Sequence, residues 1–225
     1  MNGVFIILQV RLRSTRLPQK LLFPLCGISM FEHIVRRLLV PSLPEKIIVA
    51  TTADTLPSIE KTSEKLGAAV MTGSEDDVLS RFADAVRLFD VKTLVRATGD
   101  NPLVSMEYVD RAVDLHVKSS AHLTSFPRLP YGTGVEVVEA GCLLEAHERA
   151  ADPHEREHIT QYIYRHPDEY SIVRGDPDKI VRRPELRLTV DTKEDYLRVR
   201  DIYEHLYRGE PIRLPDVIAY LDGTC

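Results

Sequence analysis

Residues 4–20 read Val4-Phe5-Ile6-Ile7-Leu8-Gln9-Val10, then Arg11-Leu12-Arg13-Ser14-Thr15-Arg16-Leu17-Pro18-Gln19-Lys20. The first part is an apolar run, which predicts a strand buried on both faces of a parallel sheet. The second part carries four cations in ten residues and is predicted to be the loop at the carboxyl end of that strand. Because open parallel sheets bind their ligands at that edge, the loop predicts a site for a strongly anionic ligand such as a nucleoside triphosphate.

Strand and helix patterns alternate over the first 120 residues. Apolar runs predict strands at 47–51, 69–72 and 93–98. Helical spacing of apolar residues predicts helices at 30–39, 58–66 and 78–89, and a further helix that begins after Ser105. This order predicts an α/β fold in which helices cover both faces of a mostly parallel sheet.

A different pattern starts near residue 121. Short strand-like segments at 122–126, 135–139 and 170–174 surround helical stretches at 143–150 and 157–165. A further strand is predicted at 186–190 and an amphipathic helix at 193–207. We therefore expect one domain with three parts: a nucleotide-binding half at about 1–120, a small inserted lobe at about 121–185, and a closing strand and helix at about 186–225.

Composition limits the class of protein. The chain has 44% apolar residues, enough for a full core, and its net charge of −5 argues against general binding to nucleic acids or membrane surfaces. Cys26, Cys142 and Cys225 lack disulfide or metal-ligand spacing, so we expect incidental or buried thiols in a reducing compartment. No apolar stretch reaches the ~18 residues of a membrane span and no signal peptide precedes the first strand, so a cytoplasmic protein is expected.

Two aspartates follow predicted strands at equivalent places. Asp100 comes after the strand at 93–98, and Asp191 comes after the strand at 186–190. Such an aspartate is often only a helix N-cap, but Thr192 with Asp195 fits a capping box of its own, and Ser105 is better placed to cap the helix after Asp100. Since Mg²⁺ prefers one or two carboxylates together with phosphate oxygens, the pair predicts a magnesium site beside the basic loop.

The basic loop lacks the glycine spacing of a Walker A loop and of a dinucleotide-binding fingerprint. Phosphate binding would therefore depend on side-chain cations more than on backbone amides. The alternative interpretation is a solvated loop whose charges bind nothing.

Several motifs together resemble one enzyme family. The segment 9–20 resembles the opening motif of the cytidylyltransferases that make CMP-activated acidic sugars, and in particular their spore-coat polysaccharide SpsF-like branch. The resemblance continues in order through Gly73-Ser74-Glu75-Asp76-Asp77-Val78-Leu79-Ser80-Arg81-Phe82, Arg96-Ala97-Thr98-Gly99-Asp100-Asn101-Pro102, Gly132-Thr133-Gly134-Val135-Glu136, Arg156-Glu157-His158-Ile159-Thr160 and Leu186-Arg187-Leu188-Thr189-Val190-Asp191-Thr192. It covers nearly the whole chain.

The resemblance implies a nucleotide-diphospho-sugar-transferase-like fold, often homodimeric, and a Mg²⁺-dependent reaction of CTP with a sugar, for surface polysaccharide synthesis. It implies that Asp100 and Asp191 hold Mg²⁺ and that Arg11, Arg16 and Lys20 bind the CTP phosphates, with Lys20 and both aspartates catalytic. The other candidates are Gln9, Ser14 and Arg81 for the nucleotide, and Glu136, Arg156 and His158 for the sugar pocket. His158 and Tyr162 are predicted to lie one helical turn apart, while surface charge remains the alternative for Arg156 and a structural histidine the alternative for His158.

The chain departs from the family pattern at Arg13 and Gln19, where the family loop commonly has glycine. Either the loop takes a different path, or side chains replace backbone contacts. Gln161 stands where proline is usual. Two rival functions remain open: a glycosyltransferase that uses a preformed nucleotide-sugar, and a catalytically silent nucleotide-binding or assembly subunit. The residue pattern leaves the sugar undetermined, and the base is implied only by the resemblance.

Overall fold

The computed structural model describes residues 3–223 and contains a main sheet and a small hairpin. The strands are β1 (Val4–Gln9), β2 (Pro24–Leu25), β3 (Ile28–Ser29), β4 (Lys46–Thr51), β5 (Ala69–Thr72), β6 (Thr93–Thr98), β7 (Leu123–Ser125), β8 (Glu136–Glu139) and β9 (Ile172–Arg174). Strands β2 and β3 form the hairpin, and the main sheet has the order β5-β4-β1-β6-β8-β7-β9.

The main sheet is mostly parallel. Strand β1 lies between β4 and β6 and pairs parallel with both. Strand β8 pairs antiparallel with its neighbours β6 and β7, whereas β4 with β5 and β7 with β9 are parallel pairs. The predicted α/β fold is confirmed. The strands after residue 121 extend this same sheet, so the 121–185 segment continues the first half.

Helices cover both faces of the sheet. They are α1 (Met30–Leu38), α2 (Leu56–Lys65), α3 (Val78–Leu88), α4 (Met106–Ser119), α5 (Ala140–Arg149), α6 (Pro153–Glu157), α7 (Gln161–Arg165), α8 (Lys193–Leu206) and α9 (Leu214–Leu221). One apolar core joins the sheet to α1, α2, α4, α8 and α9, and a second joins its other face to α3, α5 and α7.

Strand β1 belongs to both cores. Ile6 and Leu8 point into the first core and Ile7 points into the second, and all three side chains are fully buried. This two-sided burial is the physical reason for the unbroken apolar run, because a strand with one wet face would alternate apolar and polar residues. The prediction of a strand buried on both faces is therefore confirmed. The strand ends at the carboxyl edge of the sheet, where the basic loop begins.

Two expectations about secondary structure were wrong, and one helix was missed. The helix expected at 157–165 is two short helices, because the chain leaves helical geometry at His158, the C-cap of α6, with φ −107° and ψ 85°. The strand expected at 186–190 makes a single bridge, Tyr131 with Arg187, since its neighbours are loops. Helix α9 was not predicted.

The cysteines are spread over the molecule. Cys26 is exposed at the β2–β3 turn, Cys142 is buried in α5, and Cys225 lies outside the described residues. Among residues 3–223, none of the helices is both long enough and apolar enough to cross a bilayer.

Candidate active site

A cavity of about 590 Å³ opens at the carboxyl edge of β1 and β6. The basic loop forms one wall, and residues 125–136 form the opposite wall. Of the residues singled out in the sequence, the cavity is lined by Gln9, Arg11, Ser14, Arg16, Lys20, Asp100, Glu136, His158 and Asp191. Stretches far apart in the chain thus meet at one edge of the sheet.

Asp100 and Asp191 are brought together by their backbones. The amide of Val190 donates to the carbonyl of Asp100 at 2.8 Å, and the Thr189 hydroxyl donates to the same carbonyl at 3.3 Å. The segment containing Asp191 therefore lies directly on the loop containing Asp100. Gly132, with φ +92°, allows this packing, because a Cβ there would lie 2.6 Å from the Thr189 nitrogen.

Asp191 is held by three cations. Its Oδ1 lies 3.0 Å from the Lys20 ammonium and 3.1 Å from the Arg16 guanidinium, and its Oδ2 lies 2.5 Å from the Arg187 guanidinium. The backbone amides of Asp191 and Thr192 donate to the Asp195 carboxylate, and the Thr192 hydroxyl caps α8. The predicted capping box is present, and it leaves the Asp191 carboxylate to the cations.

The side chains of the three cations differ in their exposure to solvent. The Lys20 side chain is 11% exposed, and its ammonium also donates to the Val190 carbonyl at 2.6 Å. The Arg16 side chain is 63% exposed on the loop. Arg187 is 43% exposed, and its guanidinium stacks 4.8 Å over the ring of Tyr131.

Gln19 adopts a glycine-like backbone conformation at a position where the family loop commonly has glycine. It has φ 58° and ψ 17°, the left-handed conformation that glycine adopts without steric cost. The backbone amide of Gln19 donates to the Leu12 carbonyl at 3.0 Å, and the backbone carbonyl of Gln19 accepts from the Leu22 amide at 2.9 Å. The backbone thus takes a glycine-like turn at this position at the cost of local strain. Arg13, at the other departure, pairs with Asp54 and Glu75 outside the aspartate pair.

Gln9 and Gly99 shape the floor of the cavity. The Gln9 Oε1 atom is buried and has no hydrogen-bond partner within residues 3–223, so a ligand with an N–H or O–H group would satisfy it. The amide of Gly99 donates to the Gln9 carbonyl at 2.8 Å, and a Cβ on Gly99 would lie 2.8 Å from Val10 and 2.9 Å from Leu21. Close packing therefore requires glycine there.

Glu136 also lines the cavity, and both of its carboxylate oxygens accept hydrogen bonds from within the protein. Its Oε2 accepts from Arg96 at 2.7 Å and from the Thr160 hydroxyl at 3.0 Å, while its Oε1 accepts from the Tyr164 hydroxyl at 2.8 Å. Burial, followed by the Glu136 charge, raises the pKa of Tyr164, so its phenol keeps the proton and donates. Arg96 and Glu136 are opposite each other on β6 and β8, which fixes the pair.

His158 lines the cavity at the end of α6. Burial, and then the neighbouring imidazole of His154, lowers the pKa of His158, which favours the neutral ring. Tyr162 was predicted to lie one helical turn from His158, and this prediction was wrong. The two residues lie on opposite sides of the break between α6 and α7. Instead Tyr162 is buried and stacks on His166 at 4.1 Å.

Two sequence-predicted residues lie outside the cavity wall. Arg81 is fully buried on α3, and its guanidinium donates to the Ser74 carbonyl at 2.8 Å. Arg156 donates to the Asp77 carboxylate and to the His147 carbonyl, which ties α6 to the start of α3. Neither arginine lines the cavity, and the nucleotide contact of Arg81 and the sugar contact of Arg156 stay predictions.

Sequence reasoning missed Arg187, Arg96, Tyr131 and Tyr164 as site residues. Arg187 and Arg96 belong to the quoted motifs, but each motif had drawn attention to its aspartate. A signal for Arg96 was its place inside an apolar strand, where a charge needs a partner. No pattern marked Tyr131 or Tyr164, because a long connection brings each of them to the cavity.

The donor set fits a hard divalent cation. Asp100 and Asp191 offer carboxylate oxygens at one rim, and the cation-lined wall suits the phosphates that complete magnesium coordination in proteins. His122, Glu139 and Cys142 also approach each other, at the opposite edge of the sheet. That second cluster does not suit a metal, because the His122 Nδ1 accepts the Ser171 amide at 2.8 Å and leaves the proton on Nε2.

The fold and the cavity define a class of protein. An α/β sheet that presents cations and two carboxylates in one cavity at the carboxyl edge of its strands is the architecture of a nucleotidyltransferase.

Comparison with known proteins gives the family. A family model described as cytidylyltransferase matches residues 5–211. The spore coat polysaccharide biosynthesis protein SpsF of Bacillus subtilis is 32% identical over 228 residues, covering 99% of this chain and 95% of SpsF. The chain belongs to the cytidylyltransferase family.

Solved structures agree with this assignment. A cytidylyltransferase from Leptospira borgpetersenii superposes with a TM-score of 0.92 at 26% identity, covering 98% of this chain and 94% of the other. A CMP:2-keto-3-deoxy-manno-octonic acid synthetase, solved in complex with CTP, superposes with a TM-score of 0.70 at 14% identity and covers 90% and 99% of the two chains. The latter similarity shows a shared fold.

Proposed function

We propose that this enzyme transfers the cytidylyl group of CTP to a sugar hydroxyl and releases pyrophosphate, with Mg²⁺ held by Asp100 and Asp191. The observation that carries the proposal is the convergence of Arg16, Lys20 and both aspartates on one cavity. Cations beside paired carboxylates match the charges of a metal-bound triphosphate.

In this reaction a sugar oxygen attacks the α-phosphate, the bond to the β-phosphate oxygen breaks, and pyrophosphate leaves. Lys20 and Arg16 neutralise the charge that grows on the phosphates. Arg11, at the same wall, and the Ser14 hydroxyl bind further phosphate oxygens. When bound, Mg²⁺ supplies electrostatic stabilisation of the phosphate oxygens.

The Glu136 end of the cavity is assigned to the acceptor. Both oxygens of Glu136 accept hydrogen bonds within the protein, so this carboxylate holds Arg96 and Tyr164 in place. His158, whose lowered pKa favours the neutral ring, lines the same cavity and offers a ring nitrogen to a sugar hydroxyl. Proximity supplied by this wall converts the attack into an effectively unimolecular step.

The buried Gln9 oxygen favours a nucleotide whose base carries an N–H donor. Its unpaired Oε1 requires a donor, which the exocyclic amine of cytosine provides; the N3–H of uracil is also a donor, so the choice of cytosine rests on the family. CTP is also the nucleotide bound in the structure of the synthetase with the shared fold.

An acidic sugar is the proposed acceptor, and surface polysaccharide synthesis the proposed use of the product. The name of the synthetase states an acidic sugar, and the name of SpsF states a spore coat polysaccharide. We also propose a homodimer, as the family resemblance implies. Sedimentation analysis showing only monomers at micromolar concentration would reject the dimer.

A product screen tests the reaction. The protein is incubated with CTP, UTP or GTP, Mg²⁺ and a panel of sugars, and products are identified by mass spectrometry. Pyrophosphate and a CMP-sugar from CTP are expected. Release of a nucleoside diphosphate from a nucleotide-sugar would instead identify a glycosyltransferase, and CTP binding without turnover on any sugar would favour the silent subunit.

A further inference from the structure

The ion pairs of Asp191 have a consequence for the order in which ligands bind. We propose that the Asp191 carboxylate does not bind a divalent metal in the nucleotide-free enzyme, because cations occupy it. The nucleotide frees the carboxylate by drawing Arg16 and Lys20 onto the nucleotide's phosphates. This inference rests on the proposed function, because it concerns the same metal and nucleotide.

The first step is the occupancy of the carboxylate. Arg16 and Lys20 both lie within 3.1 Å of Oδ1, the oxygen that faces the basic loop, and Arg187 holds Oδ2 at 2.5 Å. Each oxygen already has a cationic partner. Because Oδ1 has both of its lone-pair sites occupied, a metal ion that binds this oxygen must displace Arg16 or Lys20.

The second step is the local charge. Arg16, Lys20 and Arg187 contribute three positive charges, and Asp191, Asp100 and the neighbouring Asp195 contribute three negative charges, which leaves no net charge beside the aspartates. A dication approaching this rim therefore gains no net attraction. A bound triphosphate makes the local charge negative, and the same dication is then attracted.

The third step is the mobility of the partners. The Arg16 side chain is 63% exposed on a loop, whereas the side chain of its partner Asp191 is 12% exposed, so the guanidinium is the partner that can leave the ion pair. Arg187, in contrast, stacks on Tyr131, whose backbone pairs with Leu186 and Leu188 on either side of it. When Arg16 moves to a phosphate, Arg187 still orients the carboxylate.

Manganese binding to the nucleotide-free protein tests the inference. Free Mn²⁺ is measured by electron paramagnetic resonance during titration of wild type, Arg16→Gln and the control Arg13→Gln. The control removes an equal charge from the same loop at a side chain that contacts Asp54 and Glu75. Arg16→Gln is expected to bind Mn²⁺ about tenfold more tightly than wild type, within the usual range of coupling between sites, whereas Arg13→Gln stays near wild type.

Equal Mn²⁺ affinity in wild type and Arg16→Gln would overturn the inference, and so would an equal gain in the control. Adding Asp191→Asn to Arg16→Gln must abolish the gain. A second measurement separates the inference from the proposed function: water-proton relaxation of Mn²⁺ with wild type and CTP. A ternary complex that requires Asp191 supports the metal site itself, and its absence in every variant would reject that site.

Discussion

Two polar clusters lie on opposite sides of the loop 100–104. The front cluster, Asp191 with Arg16, Lys20 and Arg187, faces the cavity and is built from ion pairs between side chains. The rear cluster, His33, Arg37 and Tyr203, is at most 2% exposed. In it Arg37 donates to the carbonyls of Val104 and Ile212, Tyr203 to the carbonyl of Pro102, and His33 contacts the carbonyl of Leu25.

The difference between the clusters explains how one loop is both rigid and reactive. Bonds from buried side chains to backbone carbonyls have no competing partner, so the rear cluster fixes the path of the chain that follows Asp100. In the front cluster the guanidinium groups of Arg16 and Arg187 reach solvent, and such partners exchange with ligand at less cost than buried ones. We therefore expect the front cluster to rearrange for a nucleotide, while the rear cluster holds the backbone still.

The largest expected effect comes from the rear cluster. Arg37→Met removes two charge-assisted hydrogen bonds and leaves two buried carbonyls unpaired, which should lower the free energy of unfolding by about 4 kcal/mol. Urea denaturation measures this loss. Arg36→Met, the neighbouring but more exposed arginine, is the control and should cost less than about 1 kcal/mol. Similar losses in the two variants would mean that burial does not distinguish the clusters.

The second effect depends on pH. Burial, and then the charges of Arg36 and Arg37, lower the pKa of His33 to about 4 from an ordinary value of 6.5, opposed in part by the Leu25 hydrogen bond and the Glu32 charge. Between these values the unfolded chain binds a proton that the folded protein does not, so stability should fall as pH drops from 6.5 to 4, by up to about 3 kcal/mol. Below pH 4 this contribution no longer changes.

His33→Gln keeps an N–H donor for the Leu25 carbonyl and removes the titration. Thermal or urea unfolding of this variant between pH 4 and 7 should show a flatter dependence than wild type. An unchanged slope would remove His33 from the explanation.

The third effect is a loss of catalytic rate on substitution of Asp100. Asp100→Asn keeps the shape of the side chain and removes its charge, so kcat for cytidylyl transfer should fall on the order of 10²-fold, equivalent to about 2.7 kcal/mol. Pyrophosphate release measures it, and Asp178→Asn, an exposed aspartate paired with Arg111, is the control. Undiminished turnover in Asp100→Asn would eliminate the proposed mechanism.

The fourth effect is a gain. Gln19→Gly places a residue without a Cβ in the left-handed turn of the basic loop, which should raise the free energy of unfolding by about 0.5 to 1 kcal/mol after the entropy cost of glycine. Urea denaturation is the measurement. A loss of stability would show that the Gln19 side chain makes a favourable interaction that outweighs the strain.

The smallest effect on stability is expected for Arg16→Gln. Because the guanidinium is exposed and its partner keeps two other cations, unfolding should change by less than about 0.5 kcal/mol, while KM for CTP should rise several-fold. A large loss of stability would make Arg16 a structural brace and contradict the exchangeable front cluster.

Local sequence was sufficient for the elements with a strong repeating pattern. The strand β1 and the capped helix α8 were predictable because burial on two faces and a Thr192–Asp195 box each leave a local trace. The expected strand at 186–190 failed for the opposite reason. Its apolar residues are buried, but hydrogen-bond partners that form a ladder come from other parts of the chain, and here those parts are loops.

The sequence by itself determined the α/β order of elements, the two aspartates that follow apolar segments and the cationic loop, because periodicity, capping and charge are properties of neighbouring residues. Only the tertiary structure decided that Arg187 shares Asp191 with the loop cations, that Glu136 accepts hydrogen bonds from Arg96 and Tyr164, and that Arg81 and Arg156 do not line the cavity. The direction of a side chain and the partner of a charge depend on distant segments, such as those of Lys20 and Asp191, which lie 171 positions apart. No local pattern contains that information.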